Sequence, residues 1–166
     1  MEFRIGDWVV HAAYGLGQLV SIEERKFSEA GARLFYEISL SMGTIWIPVD
    51  TEATSGLRPA MTGSELDHYR DVLMSRPMPL NESYRQRQTD LESRLNQNSV
   101  QVVCEVVRDL TERERRKALS RTDAVTLKKT QASLYQEWAT AAGVSVAEAS
   151  EEVKSLLLEA QPATVA

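Results

Sequence analysis

Cysteine, histidine and long apolar runs are what this sequence has least of. Cys104 is the single cysteine in 166 residues. No internal disulfide forms from it, and no zinc quartet of the finger or ribbon type can be assembled. A lone cysteine fits a reducing cytoplasm. His11 and His68 are the two histidines, which leaves little for acid–base or metal chemistry. No apolar run approaches the roughly 18 residues of a membrane span. The opening Met-Glu-Phe-Arg-Ile-Gly-Asp lacks the basic start and apolar core of a signal peptide. Gly15-Leu-Gly17 is a lone Gly-x-Gly between two strand-like runs. A phosphate cradle needs a helix opening directly after it, so a tight hairpin turn is the better reading. Glu23-Glu24 and Glu151-Glu152 read as solvated faces rather than catalytic pairs. No catalytic residue, metal site or cofactor is expected, and the chain reads as non-enzymatic.

What is present is charge, unevenly spread. The net charge is −5, which argues against a free-standing DNA binder. Residues 1–75 hold 6 basic and 11 acidic side chains, residues 76–129 hold 12 and 8, and residues 130–166 hold 1 and 5. The positive charge is therefore concentrated in the middle segment. Lys and Arg there could neutralise phosphates, although the interspersed acids suit a plain solvated helix face equally well.

The first fifty residues alternate with a period of two. Asp7–Ala12, Leu16–Glu24, Leu34–Leu40 and Thr44–Val49 are rich in β-branched and aromatic residues and are punctuated by glycines. Within the second run, Gln18, Val20, Ile22 and Glu24 are expected on one side and Leu19, Ser21 and Glu23 on the other. Four or five short strands suit a small, strongly bent SH3- or Tudor-like barrel. Residues 51–61 read as polar and irregular. Thr62-Gly-Ser-Glu65 then reads as a capping box opening a helix to about Ser75. Pro77 and Pro79 forbid a continuous helix, and Asn81 is the expected cap of the next one. From there the apolar period is helical. It predicts helices over about 82–96, from Ser99 to the Arg113–Lys117 run, from Ser120 or Thr122 to Gly143, and from the capping box Ser145–Glu148 onward. The fold class is thus α+β in two domains, an N-terminal small SH3/Tudor-like barrel and a C-terminal all-α helical domain. The expected division is a barrel over 1–61, a helix and linker over 62–80, a helical domain over 81–160 and a frayed tail over 161–166.

Two aromatics stand out. Trp46 lies opposite Ile45, Ile47 and Val49. It covers the open end of the barrel or packs on the following helix, or else it is an exposed anchor of the kind that interfaces use. Arg25, ending the second strand, is then a candidate neighbour. Tyr84 shares a helix face with Leu91 and Leu95, which allows it to pack in the first turn.

Together these residues resemble the CarD/CdnL family of bacterial RNA-polymerase-binding transcription regulators. Phe3-Arg-Ile-Gly-Asp-Trp-Val-Val10, Tyr14-Gly-Leu-Gly17, Ile22-Glu-Glu-Arg25, Ile45-Trp-Ile-Pro-Val49 and Gly56-Leu-Arg58 are similar to its barrel. Val103-Cys-Glu-Val-Val-Arg-Asp-Leu110 and Ala118-Leu-Ser120 are similar to its helical half. The resemblance implies a barrel that docks on the β subunit of RNA polymerase, with Arg25, Trp46 and Pro48 as contacts. It also implies a helical domain that lies on promoter DNA at the upstream edge of the melted bubble, largely without base specificity. Tyr84 falls where the family places a Trp wedge, Arg85 and Arg87 follow as phosphate contacts, and Lys129 matches a basic position on the third helix. Ala124 and Val125 fall where members can be basic. A monomeric, cytoplasmic regulator that stabilises the open complex is the expectation. The rival is an adaptor that docks on polymerase by its barrel and binds another protein, not DNA, with its helices. The two part on whether Tyr84, Arg85, Arg87 and Lys129 share one exposed surface.

Overall fold

The computed structural model describes residues 3–26, 29, 31–49 and 56–160. The chain divides into two compact units, residues 1–60 and 61–166.

The described residues of the first unit form one antiparallel sheet of order β4-β3-β2-β1-β5. Its strands are β1 (Trp8–His11), β2 (Gly15–Arg25), β3 (Arg33–Leu40), β4 (Gly43–Pro48) and β5 (Leu57–Pro59). The four expected strands are present. The fifth falls in the stretch read as irregular, of which residues 51–55 lie outside the described residues. Three residues ending in proline carry no legible period, and Leu57–Pro59 is a strand because it pairs with Val9–His11. Val9, Leu19, Tyr36, Ile38, Ile47 and Leu57 form the core with Phe3.

One alternation is corrected. The β2–β3 register shifts between Leu19 and Ser21, so Leu19 sits opposite Ile38 and Ile22 opposite Tyr36. A bulged residue switches the faces that follow it. Leu19 and Ile22 therefore lie on the core side, and Ser21, Glu23 and Arg25 lie on the outer face. Gly17 is a packing residue. A Cβ there would stand 2.5 Å from Ile38 Cγ2 and 2.9 Å from the Ser39 carbonyl, so the sheet closes here only over glycine. No phosphate need be invoked.

Among its described residues the second unit holds a 3₁₀ turn (Gly63–Glu65) and five helices: α1 (Leu66–Met74), α2 (Tyr84–Leu95), α3 (Val100–Arg116), α4 (Arg121–Ala142) and α5 (Val146–Glu159). The capping boxes at Thr62 and Ser145 are formed, and Ser99 and Ser120 cap α3 and α4. α4 ends on Gly143 at φ 70°, a left-handed cap that glycine adopts at least cost. The cap of α2 is Ser83, not Asn81. The Asn81 side chain instead accepts from the Ser83 amide at 2.9 Å, an Asx turn that sets up the cap two residues later.

Residues 62–80 are not a free linker between domains. Leu66, Val72 and Leu73 of α1 belong to the same core as Leu91, Val107, Leu110, Leu134, Trp138 and Val153. The proline segment is also tied down. The Met78 amide donates to Asp109 Oδ1 at 2.9 Å. Buried Arg108 donates to the same oxygen at 2.9 Å and to Ser75 Oγ at 2.7 Å. Cys104 is fully buried in the core, as a small apolar residue would be. No helix among the described residues is long and apolar enough to cross a membrane.

Candidate functional site

Two surfaces carry the residues singled out from the sequence. On the barrel, the outer face of β3 presents Phe35 opposite both Glu23 and Pro48, and Glu37 opposite both Ser21 and Trp46. Trp46 and Pro48 are two apart on β4 and so share this face. The Arg25 guanidinium carbon lies 4.2 Å from the Trp46 ring centroid, while Arg25 Nη2 pairs with Glu23 Oε2 at 3.2 Å. A guanidinium over an indole is attracted by the ring quadrupole. Arg25, Trp46 and Pro48 are thus brought together on one face. Phe35 joins them there; although it points away from the core cluster it is only 9% exposed. Sequence reasoning passed over Phe35, and its signal was the alternation with Tyr36. β4 is an edge of the sheet.

The second surface lies where α2 and α4 begin. Tyr84 is the first residue of α2 and is 52% exposed. By angle it shares the face of Leu91, yet it stands at the end of the helix and packs only in part. Its hydroxyl meets Thr122 Oγ1 at 2.9 Å. Arg85, beside it, is exposed. At about 100° per residue, Arg121, Thr122, Val125, Lys128 and Lys129 fall within an arc of roughly 120° on α4. All five are exposed. Lys129 is two turns from Thr122, about 10.5 Å along the axis. Tyr84, Thr122 and Lys129 therefore line one continuous surface, with Val125 between them at 61% exposure.

Arg87 does not belong to that surface, which corrects its expected role as a phosphate contact. It is 4% exposed. Its Nε donates to Asp123 Oδ2 at 2.9 Å, and Asp123 is fully buried. Its Nη1 donates to the carbonyls of Asn81 at 3.0 Å and Glu82 at 3.2 Å. A guanidinium so engaged has no face left for a phosphate.

Other cations of the middle segment are likewise engaged. Arg94 and Arg108 pair with Asp109, Arg115 and Arg116 pair with Glu112, and Arg113 and Lys117 pair with Glu82. The hydrogen bond from Lys117, with the nearby charge of Arg113, holds the Glu82 carboxyl below the usual carboxylate range. Among the described residues, Arg85, Arg121, Lys128 and Lys129 make no ion pair. All four lie at the start of α2 or in the first half of α4. Arg121 and Lys128 were not singled out from the sequence, because a charge count cannot separate paired from unpaired cations. Among the described residues no group of three or more His, Cys, Asp or Glu could hold a metal ion.

Comparison with known proteins places both units. Residues 69–154 match the family model described as CarD, C-terminal domain. Residues 3–61 match the model described as CarD-like/TRCF RID domain. The chain is 29% identical over 119 residues to a Bacillus subtilis (strain 168) protein named "Putative transcription factor YdeB", covering 71% of this chain and 78% of that protein.

Proposed function

Because this chain belongs to the CarD family, a family of transcription factors, we propose that it binds RNA polymerase through its barrel and promoter DNA through its helical unit. On this reading it stabilises the open complex. The observation that carries the DNA half is the company Tyr84 keeps. A half-exposed aromatic shares its surface with cations of α2 and α4 that make no ion pair among the described residues, in a protein whose net charge is negative. Unpaired cations on one surface suit a phosphate backbone. An aromatic protruding among them suits partial insertion into a base step at the minor groove, which opposes reannealing. Readout of this kind is largely independent of sequence.

The barrel half rests on the outer face around Arg25, Trp46, Phe35 and Pro48 and on the open edge at β4. An edge strand accepts a further strand through its backbone groups, and an aromatic–arginine pair beside it supplies the anchor side chains enriched at interface centres. The partner on this reading is the β subunit of polymerase. A protein delivered by polymerase meets DNA at high effective concentration, so a negative total charge is no obstacle. No catalytic step is assigned.

The test is the half-life of open promoter complexes formed with this protein, measured after adding a competitor. Tyr84→Ala should shorten the half-life while leaving polymerase binding intact, and Tyr84→Trp should lengthen it. Equal half-lives for the parent and both variants would remove the wedge. Parental half-lives with polymerase binding intact would favour the adaptor reading, in which the barrel docks and the helices bind another protein.

A further inference from the structure

Arg87 and Asp123 are charged, buried and remote in sequence, and neither is used as a contact in the function proposed above. Their partners show what they hold. Asp123 Oδ2 takes the Arg87 Nε at 2.9 Å and Oδ1 takes Gln88 Nε2 at 2.6 Å. The Asp123 amide donates to the Ser120 cap at 3.1 Å. The Arg87 Nη1 grips the carbonyls of Asn81 and Glu82, the last residues before the cap of α2. Its guanidinium carbon also lies 5.7 Å from the Tyr84 ring centroid. One guanidinium thus reaches the turn before α2, the ring of Tyr84 and the first turn of α4.

Stability alone is a poor reason for such a pair. Taking two charges out of water costs much of what their attraction returns, and apolar replacements often do as well. What an ion pair with fixed geometry supplies better is alignment. The planar fork of Arg makes several hydrogen bonds at set angles, which Lys cannot reproduce. Here the elements aligned are those that carry Tyr84, Arg85 and Thr122.

We infer that Arg87 and Asp123 are positioning residues. They fix the start of α2 against the start of α4, so that the Tyr84 ring is held in one orientation beside the unpaired cations. The DNA-contacting role of that ring rests on the function proposed above; the positioning of the ring does not.

The experiment therefore has two arms. In the first, the full chain is made with 3-fluorotyrosine and the resonance of residue 84 is assigned by its loss in Tyr84→Phe. Arg87→Lys keeps the positive charge but loses the fork. It should shift and sharpen the Tyr84 fluorine signal as the ring gains freedom, while the signals of Tyr14 and Tyr36 stay in place. An unmoved Tyr84 signal in folded Arg87→Lys overturns the inference, whatever the protein does on DNA. If Arg87→Lys does not fold, Gln88→Ala removes only the bond to the second Asp123 oxygen and should give the same change at smaller amplitude; an unmoved signal there overturns it equally. The second arm measures open-complex half-lives. Arg87→Lys should shorten them severalfold in the parent and have no further effect in Tyr84→Ala, because it acts through the ring. Arg85→Gln should still shorten them in that background, because it acts on phosphate directly. Effects of Arg87→Lys and Tyr84→Ala that multiply would make Arg87 an independent contact and overturn the inference. A Tyr84→Ala variant with parental half-life would instead count against the wedge, and the fluorine signal would then decide the positioning by itself.

Discussion

On the barrel, the ring of Trp46 is covered by a cation from its own sheet, and Arg25 and its carboxylate partner Glu23 both remain open to water. On the helical unit, the ring of Tyr84 stands near a cation that is buried with its carboxylate. The first arrangement is local to three strands and is set by their pleat. The second spans 36 residues of sequence and is set by how two helices pack. The pairs are similar in chemistry and differ in what they can do. A solvated pair can be rearranged by a partner at little cost, so the cation can itself become a contact. A buried pair cannot leave, so it acts only by holding other groups.

The largest effect expected from that contrast concerns where one region ends. If α1 belongs to the helical unit, a fragment of residues 61–160 should fold and melt cooperatively. A fragment of residues 81–160 lacks Leu66, Val72 and Leu73, whose burial stabilises by roughly 1.5–3 kcal/mol each. Domains of this kind have only about 5–15 kcal/mol to lose. Circular dichroism melts of the two fragments check this, and a cooperative transition in the shorter one would restore residues 62–80 to the role of linker.

The next effect breaks the buried pair. Asp123→Ala strands the Arg87 guanidinium in the core, and removing one partner of such a pair costs about 3–5 kcal/mol. Arg25→Ala on the barrel should cost less than about 1 kcal/mol, as exposed pairs do. Denaturant unfolding of the full chain, followed by helical signal for the first variant and by tryptophan fluorescence for the second, measures both. Equal costs would erase the distinction.

Legibility in the sequence follows the same division. The strands, most helix caps and the placement of Trp46 opposite Ile45 and Ile47 were readable because each depends on residues a few positions apart. The bulge after Leu19 was not, since a single extra residue leaves the composition unchanged while it swaps the faces. Strand β5 was not, because it exists only through its partner β1. Arg87 was misread for the same reason as Asp123 was passed over, since a charged residue on a helix looks solvated until its partner is known. One signal was available: Arg87 lies four residues before Leu91, on the buried stripe, where an unpaired arginine has no place. Tyr84 is the converse case. Its spacing allowed burial with Leu91 and Leu95, and its position at the first turn left it half exposed.

A smaller effect sharpens the barrel side. Arg25→Glu reverses the cation over Trp46, and Trp46→Ala removes the ring. Each should weaken binding to the polymerase β subunit by about 1–3 kcal/mol if this face is a hot spot. Titration calorimetry with the isolated β-subunit domain reads it. If both variants bind like the parent, the β4 edge or another face carries the contact.

The smallest effect concerns one hydroxyl. Tyr84 and Thr122 share a hydrogen bond at 2.9 Å in an exposed setting, so its deletion should change stability by no more than about 1 kcal/mol. Its effect on DNA has a definite sign. A ring that enters a base step must give up the Thr122 bond and desolvate its polar tip. Tyr84→Phe removes both costs and keeps the same flat face, so open complexes should last longer, by about fivefold at most if the whole gain of about 1 kcal/mol is realised. Thr122→Val removes the bond but leaves the hydroxyl to be desolvated, so it should lengthen the lifetime less. The double variant should match Tyr84→Phe alone, because the bond can be lost only once. Thermal melts of all three variants should stay near the parent. If Tyr84→Phe shortens the lifetime instead, the hydroxyl holds the ring in its working position and the Thr122 bond belongs with Arg87 and Asp123. The two pairs flanking Tyr84 would then act in the same direction, and the solvated barrel pair would stand alone as the rearrangeable one.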